Sequence, residues 1–464
     1  MQWIYGGGWI FGDSWDDGKY SGHHLATLNN AVVVAGNYRL GPFGFMALPA
    51  LAQENADGST GNYALQDQTA ALKWTQANIA AFGGNASRVG IFGESAGGFS
   101  ICWHMVSPAS AGLFHAAAMQ SGSCDSPTFF RTPQRAYAWA GNYSVAAGCP
   151  GSGAEQLKCL RALTAAQLQN VPWENAGGPV DPTHFKPDLY PVMPWGAMID
   201  GAATGLLAGK FNRVPFLLGS NAQDGAIFAF LLPVVAPTTD KATLLAQKQA
   251  LRAGLALPMS ASQVRGGMRA LLSAGPHSGA TPAHVAAVDS IIQEITAEGG
   301  LYPLTDAAST DNFEAVGRLI TQYFFACGAR RTARAVTAAG VPAYLYQFTA
   351  KVESSTMYKL LGDYHSLEVG LLFGTKDIAA DSQAVSQAMG AYWGGMAVGG
   401  SPNAAVAPGF GNTTLANWPA FDWSGDRYNM KLQTPLQLQA DLFSTECAYW
   451  DNHFQVANQP TPLL

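Results

Sequence analysis

Apolar residues along the chain alternate between short unbroken runs and helical spacing. Residues 2–5 read as the end of a strand that runs directly into Gly6-Gly7-Gly8-Trp9. Residues 31–38 are a run of valines and alanines, the pattern of a strand buried on both faces. A Gly-Pro loop (Gly41, Pro42, Gly44) and a polar stretch through Asp57-Gly58 follow. Leu65, Leu72 and Ile79 then mark a helical stripe over residues 63–82, closed by Gly83-Gly84. Val89, Ile91 and Phe92 predict a short buried strand, and a small-residue helix start follows at Ala96. Residues 115–120, 214–219 and 342–348 read as further strands, and 436–454 as an amphipathic terminal helix. Strand, long helix, strand is a right-handed crossover, which implies a parallel sheet and an α/β class. Residues 151–213 and 231–311 are irregular or helical insertions, expected to roof an active site rather than build the sheet.

Composition narrows the function. With 464 residues, 48% of them apolar and 12% charged, the chain builds a large buried core, and one unit of this length is ordinary for an α/β enzyme. A net charge of -6 argues against nucleic acid or an anionic membrane surface as the main partner. No stretch approaches the roughly 20 apolar residues of a membrane span; residues 226–236 come nearest and are broken by Pro233. No basic segment followed by an apolar run opens the chain, so no signal peptide is encoded in it. Three sequons, at Asn85, Asn142 and Asn412, nevertheless make glycosylation and secretion an expectation. Among the six cysteines, Cys149 and Cys159 flank a Pro-Gly-Ser-Gly turn that a disulfide would close.

The chemistry gathers at residues 88–100, Arg-Val-Gly-Ile-Phe-Gly-Glu-Ser-Ala-Gly-Gly-Phe-Ser. Gly93-Glu94-Ser95-Ala96-Gly97 matches Gly-x-Ser-x-Gly between a strand and a helix, the setting of a nucleophile elbow. In a chain with 52 glycines the pentapeptide alone could be accidental; the strand before it and the helix after it argue otherwise. Upstream, the glycine triplet leaves backbone N–H groups unshielded, as a developing oxyanion requires, and it follows a strand as the oxyanion loop of lipases and esterases does.

Further motifs bring a resemblance. The chain carries Asn37-Tyr38-Arg39-Leu40-Gly41-Pro42-Phe43-Gly44-Phe45, Gly61-Asn62 with Leu65-Gln66-Asp67-Gln68, and Asn78-Ile79 with Phe82-Gly83-Gly84. After the elbow come Gln120-Ser121-Gly122, Ile199-Asp200-Gly201, Asn221-Ala222-Gln223-Asp224-Gly225, and Gly362-Asp363-Tyr364-His365-Ser366-Leu367-Glu368 with Phe373-Gly374. In that order they resemble the type-B carboxylesterases, the cholinesterase and fungal-lipase branch of the α/β-hydrolases. The resemblance runs over nearly the whole chain. It implies an α/β-hydrolase fold over residues 1–464 as one domain, with its first strands expected before Met1, and a serine esterase without cofactor or metal.

The same resemblance assigns roles. Ser95 needs a base, since a free hydroxyl is a weak nucleophile, and of nine histidines His365 stands where the family carries it. His104, His115 and His453 are read as structural. In α/β-hydrolases the acid falls between serine and histidine along the chain. Asp224, in the loop after the strand at 214–219, fits, although the family usually has glutamate there; Asp363 is the runner-up. The oxyanion hole would be the N–H groups of Gly7, Gly8 and Ala96, each such donor being worth roughly 3 kcal/mol of barrier. Glu94 and Ser121 belong to the buried polar network behind the triad, though Glu94 alone would also fit a strand-end ion pair with Arg39. Arg39 pairs more simply with Asp67, locking two core loops. The family's disulfides map onto Cys149–Cys159 and Cys327–Cys447, which leaves Cys102 and Cys124 as free buried thiols. Carboxylic ester hydrolysis is the implied activity, on a small-molecule or lipid ester. Triacylglycerol lipase is the alternative, and a catalytically silent adhesion or scaffold relative is a third, disfavoured because both Ser95 and His365 are present. An extracellular location is implied. Residues 185–195, where an acyl pocket would lie, do not carry the cholinesterase pattern clearly enough to claim choline esters.

Overall fold

A computed structural model describes residues 1–125, 133–171, 205–206, 208–231, 259–273, 282–307, 309–350, 356–375, 380–404 and 415–458. The elements used below are, in chain order, strand β1 (Gln2–Ile4), β2 (Val34–Ala35), helix α1 (Tyr63–Asn78), β3 (Gly90–Glu94), α2 (Ala96–Val106), β4 (Ala116–Gln120), α3 (Pro133–Ala146) and β5 (Phe216–Asn221). They continue with α4 (Gly225–Leu231), α5 (Thr310–Ile320), α6 (Cys327–Ala338), β6 (Ala343–Phe348), α7 (Leu367–Leu372), α8 (Ala380–Gly399), β7 (Tyr428–Leu432), β8 (Gln437–Ala440) and α9 (Ser444–Asn458). Among the described residues the strands form one 8-stranded sheet in the order β2-β1-β3-β4-β5-β6-β7-β8. Every pairing is parallel except β7 with β8.

Strand and helix composition accounts for this layering. Every residue of β3, β4, β5 and β6 is buried, so these runs are mostly apolar or small instead of alternating, with buried polar residues (Glu94, Gln120, Asn221, Gln347) at or near their C-terminal ends. Helix α2 packs on β3 and β4, and α8 packs on the same two strands. Helix α1 carries straight on into a 3-10 turn at Ile79–Phe82, ended by Gly83 in the left-handed region (φ 81°). The crossover geometry predicted from 63–94 is therefore present. Two readings change. The run at 31–38 pairs only at Val34–Ala35. The terminal helix begins at Ser444, because Gln437–Ala440 is spent as the antiparallel edge strand β8 on β7. The polar character of β7 and β8 hid both strands from a hydrophobicity reading.

Three disulfides are formed: Cys149–Cys159, Cys327–Cys447 and Cys102–Cys124. The third corrects the expectation of free thiols. Cys102 lies in α2 and Cys124 just beyond β4, and the parallel β3–α2–β4 crossover returns the chain alongside its own helix. The two Cα atoms end 5.2 Å apart and both side chains are buried. Closing this loop of 22 residues contributes roughly 3 kcal/mol in the chain-entropy model. Among the described residues no helix is long and apolar enough to cross a membrane.

Arg39 clasps Asp67 as expected, with its backbone N–H and Nε on Oδ2 (3.0 and 2.7 Å) and Nη2 on Oδ1 (2.7 Å). Of the sequons, Asn85 is exposed before β3, its Oδ1 accepting from the Ser87 N–H and hydroxyl. Asn142 is exposed on α3. Asn412, Ile199-Asp200-Gly201 and the segment 185–195 lie outside the described residues.

Candidate active site

Ser95 sits between the last residue of β3 and the first of α2, with φ 55° and ψ -124°. A non-glycine residue holds such a conformation only when its surroundings fix it. Here the Ser95 N–H donates to Gln120 O (3.0 Å) and the helix starts at once. The turn is so tight that a Cβ on Gly97 would lie 1.9 Å from Ile4 O, which is why glycine follows the serine at that distance.

The glycine triplet is folded against this elbow. A Cβ on Gly6 would meet Ser95 Cβ at 2.9 Å and Glu94 Oε2 at 2.8 Å. Gly7 has φ 114°, and a Cβ there would strike Phe11 O at 2.2 Å. Trp9 anchors the loop by donating its indole N–H to Ser100 Oγ on α2 (3.1 Å). Below it, Tyr5 and Tyr38 exchange hydroxyl-to-carbonyl bonds (3.2 and 2.6 Å) with stacked rings 4.3 Å apart. Ala96 opens α2, so its N–H has no acceptor within the helix, and the positive end of the helix dipole faces the same space.

The other two predicted residues meet each other. The β4 and β5 ends place Ser121 and Asn221 around Asp224, whose Oδ2 accepts from Ser121 Oγ and from the Asn221 N–H, both at 2.8 Å. Its Oδ1 lies 2.8 Å from His365 Nδ1. Asp224 is completely buried, so its single-methylene arm reaches the imidazole without access to water. Asp363, the runner-up acid, makes no hydrogen bond or ion pair with the ring among the described residues. Its Oδ1 has no hydrogen-bond partner there, and burial pushes its carboxyl up to about 7, Lys431 pulling it back.

On its far side His365 Nε2 stands 3.1 Å from Glu94 Oε1, without the alignment of a hydrogen bond, so among the described residues it has no hydrogen-bond partner. Glu94 Oε1 instead accepts from Ser366 Oγ (2.6 Å). The Glu94–Arg39 ion pair is therefore absent; Glu94 serves the histidine. Burial would lower the His365 pKa, but the carboxylates of Glu94, Asp224 and Glu368 outweigh it and raise the pKa to about 9. Glu94 is itself raised by burial, against the pull of His365 and Ser366. Phe228 and Phe325 flank the imidazole, with ring centroids 4.8 and 5.2 Å away, and form an apolar wall on one side of it.

A buried chain behind the site was not read from the sequence. Glu368 accepts from Gln120 Nε2 (3.1 Å) and Asn221 Nδ2 (2.6 Å), and Gln120 Oε1 accepts from Trp393 Nε1 (3.0 Å). Burial, then the charges of Glu94 and Asp224, raise Glu368 to about 7. Its signal was present: a lone carboxylate inside the apolar run 367–373 needs a partner. The three histidines set aside are structural. His104 is fully buried between Ser110 Oγ (2.8 Å) and Gln68 Oε1 (3.1 Å), and burial lowers its pKa to about 4. His115 and His453 bond to the nearby backbone of Val89 and Tyr449.

Comparison with known proteins places these features. A family described as "Carboxylesterase family" matches residues 1–450. Acetylcholinesterase 1 of Caenorhabditis elegans is 28% identical over 473 residues, covering 97% of this chain and 70% of that protein. Acetylcholinesterase 1 of Caenorhabditis briggsae is similar to the same degree, 28% over 472 residues, with the same coverage.

Proposed function

Since this chain belongs to the carboxylesterase family, with the α/β-hydrolase fold and the activity of a carboxylic ester hydrolase, we propose that Ser95, His365 and Asp224 are its catalytic residues. Ser95 Oγ attacks the ester carbonyl, and His365 Nε2 takes its proton and passes it to the leaving alcohol. Water then cleaves the acyl-enzyme by the same relay. Asp224 fixes the imidazole tautomer and stabilises the imidazolium. The N–H groups of Gly7, Gly8 and Ala96 receive the oxyanion. The observation that carries this reading is the 2.8 Å contact of Asp224 Oδ1 with His365 Nδ1, which leaves Nε2 without a hydrogen-bond partner among the described residues and 3.1 Å from Glu94 Oε1, on the residue that precedes Ser95.

Glu94 and Ser121 act in support, one on each side of the histidine and its acid. The effect of Glu94 is measurable. The base works only when neutral, so a pKa raised to about 9 places the ascending limb of kcat/KM on the alkaline side of neutrality. Below that limb the rate falls about tenfold per pH unit. Glu94→Gln removes the largest charge that raises His365 and should move the limb to lower pH. An unmoved limb in the pH profile would show that Glu94 does not set the base.

Substrate choice is open to direct assay. Aromatic surface beside the glycine loop favours an apolar ester, and with it a lipase as second reading: Phe11 is 59% exposed and Trp15 61%. Rates on p-nitrophenyl acetate, butyrate and laurate, on a tributyrin emulsion and on acetylthiocholine separate the cases. An esterase prefers the short soluble esters, a lipase is activated by the emulsion, and a choline ester hydrolase prefers the thiocholine. No turnover on any ester would sink the proposal. The disulfides fit an oxidising compartment, and we place the protein in secretion with its exposed sequons available to glycosylation.

A further inference from the structure

The loop that carries the acid and the loop that carries the histidine are separate in sequence and are not paired by the sheet at the residues that matter. β5 and β6 are in register as far as Asn221 and Phe348, and the sheet partnership ends there. Asp224 lies three residues past that point and His365 seventeen, so the 2.8 Å contact between them needs another device. An aspartate has one methylene with which to make up any slack, and a displacement of about 1 Å would open the contact.

Two residues of the acid loop bridge to the histidine loop. Asn221 is fully buried; its Nδ2 donates to Tyr364 O (2.8 Å) and to Glu368 Oε2 (2.6 Å). Gln223 makes a two-point latch on Asp363. Its N–H donates to Asp363 O (3.2 Å), and its side-chain Oε1 accepts from the Asp363 N–H (2.7 Å). The latch is close-fitting. Gly362 has φ 62°, and a Cβ there would meet Gln223 Oε1 at 2.6 Å. On the opposite side Gly225 is held by α5 and the turn after it: its N–H donates to Thr321 Oγ1 (2.8 Å), and a Cβ on Gly225 would strike Gly317 O at 2.1 Å. The acid is thus clamped between α5 behind and the Asp363 backbone in front.

We propose that Gln223 is a positioning residue for catalysis: its side chain latches the backbone of Asp363 and thereby sets the distance between Asp224 and His365. This rests on the reading of Asp224 as the catalytic acid. Two features separate the role from a merely structural one. Gln223 is exposed, so removing its carboxamide oxygen opens no cavity and leaves no buried group of its own unpaired. The Asp363 N–H it satisfies belongs to the segment that delivers the histidine and not to the sheet.

The test is a double-mutant cycle on p-nitrophenyl butyrate hydrolysis by the full chain. Gln223→Met keeps the length of the side chain and deletes the acceptor, whereas Gln223→Glu keeps an acceptor oxygen. Gln223→Met should lower kcat by about 10- to 100-fold, the scale of a misplacement of about 1 Å. KM should stay within a factor of about two if the loss falls on the transition state alone. The ascending limb of the pH profile should move to lower pH, because the Asp224 bond that helps to raise His365 weakens. Gln223→Glu should restore most of the rate. In an Asp224→Asn background Gln223→Met should cost nothing further, since the bond it protects is already gone. Full activity in Gln223→Met overturns the proposal, as does an equal fold-loss in the Asp224→Asn background. Wild-type rates in Asp224→Asn alone would instead remove the reading of the acid, an outcome visible before Gln223 is touched.

Discussion

Ser95→Ala is expected to abolish covalent labelling by an organophosphate and to lower kcat by about 10⁶-fold, the scale seen when a triad serine is lost. The substitution removes one oxygen and little else. Ser95 is held at φ 55° by the Gln120 carbonyl and by the abrupt start of α2, and alanine meets the same backbone demands. The N–H groups proposed to receive the oxyanion stay in place, so a residual catalysis of about 10³-fold over water should survive. Intact-mass measurement after organophosphate treatment reads the result directly, because the wild-type chain gains one phosphoryl adduct and the variant gains none. An adduct on the variant at the same stoichiometry would assign the nucleophile elsewhere. Retained esterase turnover without labelling would mean that another residue attacks the ester.

Much of this site was legible in the residues. The elbow is a local device: a buried strand, a glycine-flanked serine and a helix start occupy consecutive positions, so the pattern needs no tertiary information. The same holds for the glycine loop after β1, whereas the clasp of Arg39 on Asp67 joins residues 28 apart and was legible only because both stand in motifs of the family the chain resembles. What the sequence withheld depends on topology. Cys102 and Cys124 become neighbours only through the parallel β3–α2–β4 crossover, and hydrophobicity cannot distinguish a buried thiol from half of a disulfide. Strands β7 and β8 are short, and β8 lies at the sheet edge with mostly exposed side chains, so neither produces an apolar run. The polar chain from Trp393 through Gln120 and Glu368 to Asn221 joins four elements, and its members look like isolated polar residues until the sheet gathers them. Gln223 is hidden for a different reason: an exposed glutamine carries no sequence signal, and its role is visible only in the geometry of two loops.

Asp224→Asn should lower kcat by about 10⁴-fold at neutral pH while leaving the fold intact. The size follows from which way the introduced amide must face. Asp224 Oδ2 receives two donors, the Ser121 hydroxyl and the Asn221 N–H, and an amide nitrogen placed there would meet the N–H head on. The amide oxygen therefore takes the Oδ2 position, and the NH₂ group turns to His365 Nδ1. Donating to Nδ1, it forces the ring proton onto Nε2, so the nitrogen that should accept the Ser95 proton presents a hydrogen. The change also removes a charge that raises His365, and the ascending limb of the pH profile should fall accordingly. Asp363→Asn is the control. Asp363 is buried and its carboxyl is raised to about 7, yet its side chain makes no bond to the imidazole among the described residues, so its neutral amide should turn over at near wild-type rate. Steady-state rates on p-nitrophenyl butyrate, with circular dichroism to verify folding, decide between them. Wild-type turnover in Asp224→Asn together with a collapse in Asp363→Asn would transfer the acid to Asp363, and the buried pair of donors on Asp224 would then have only a structural role.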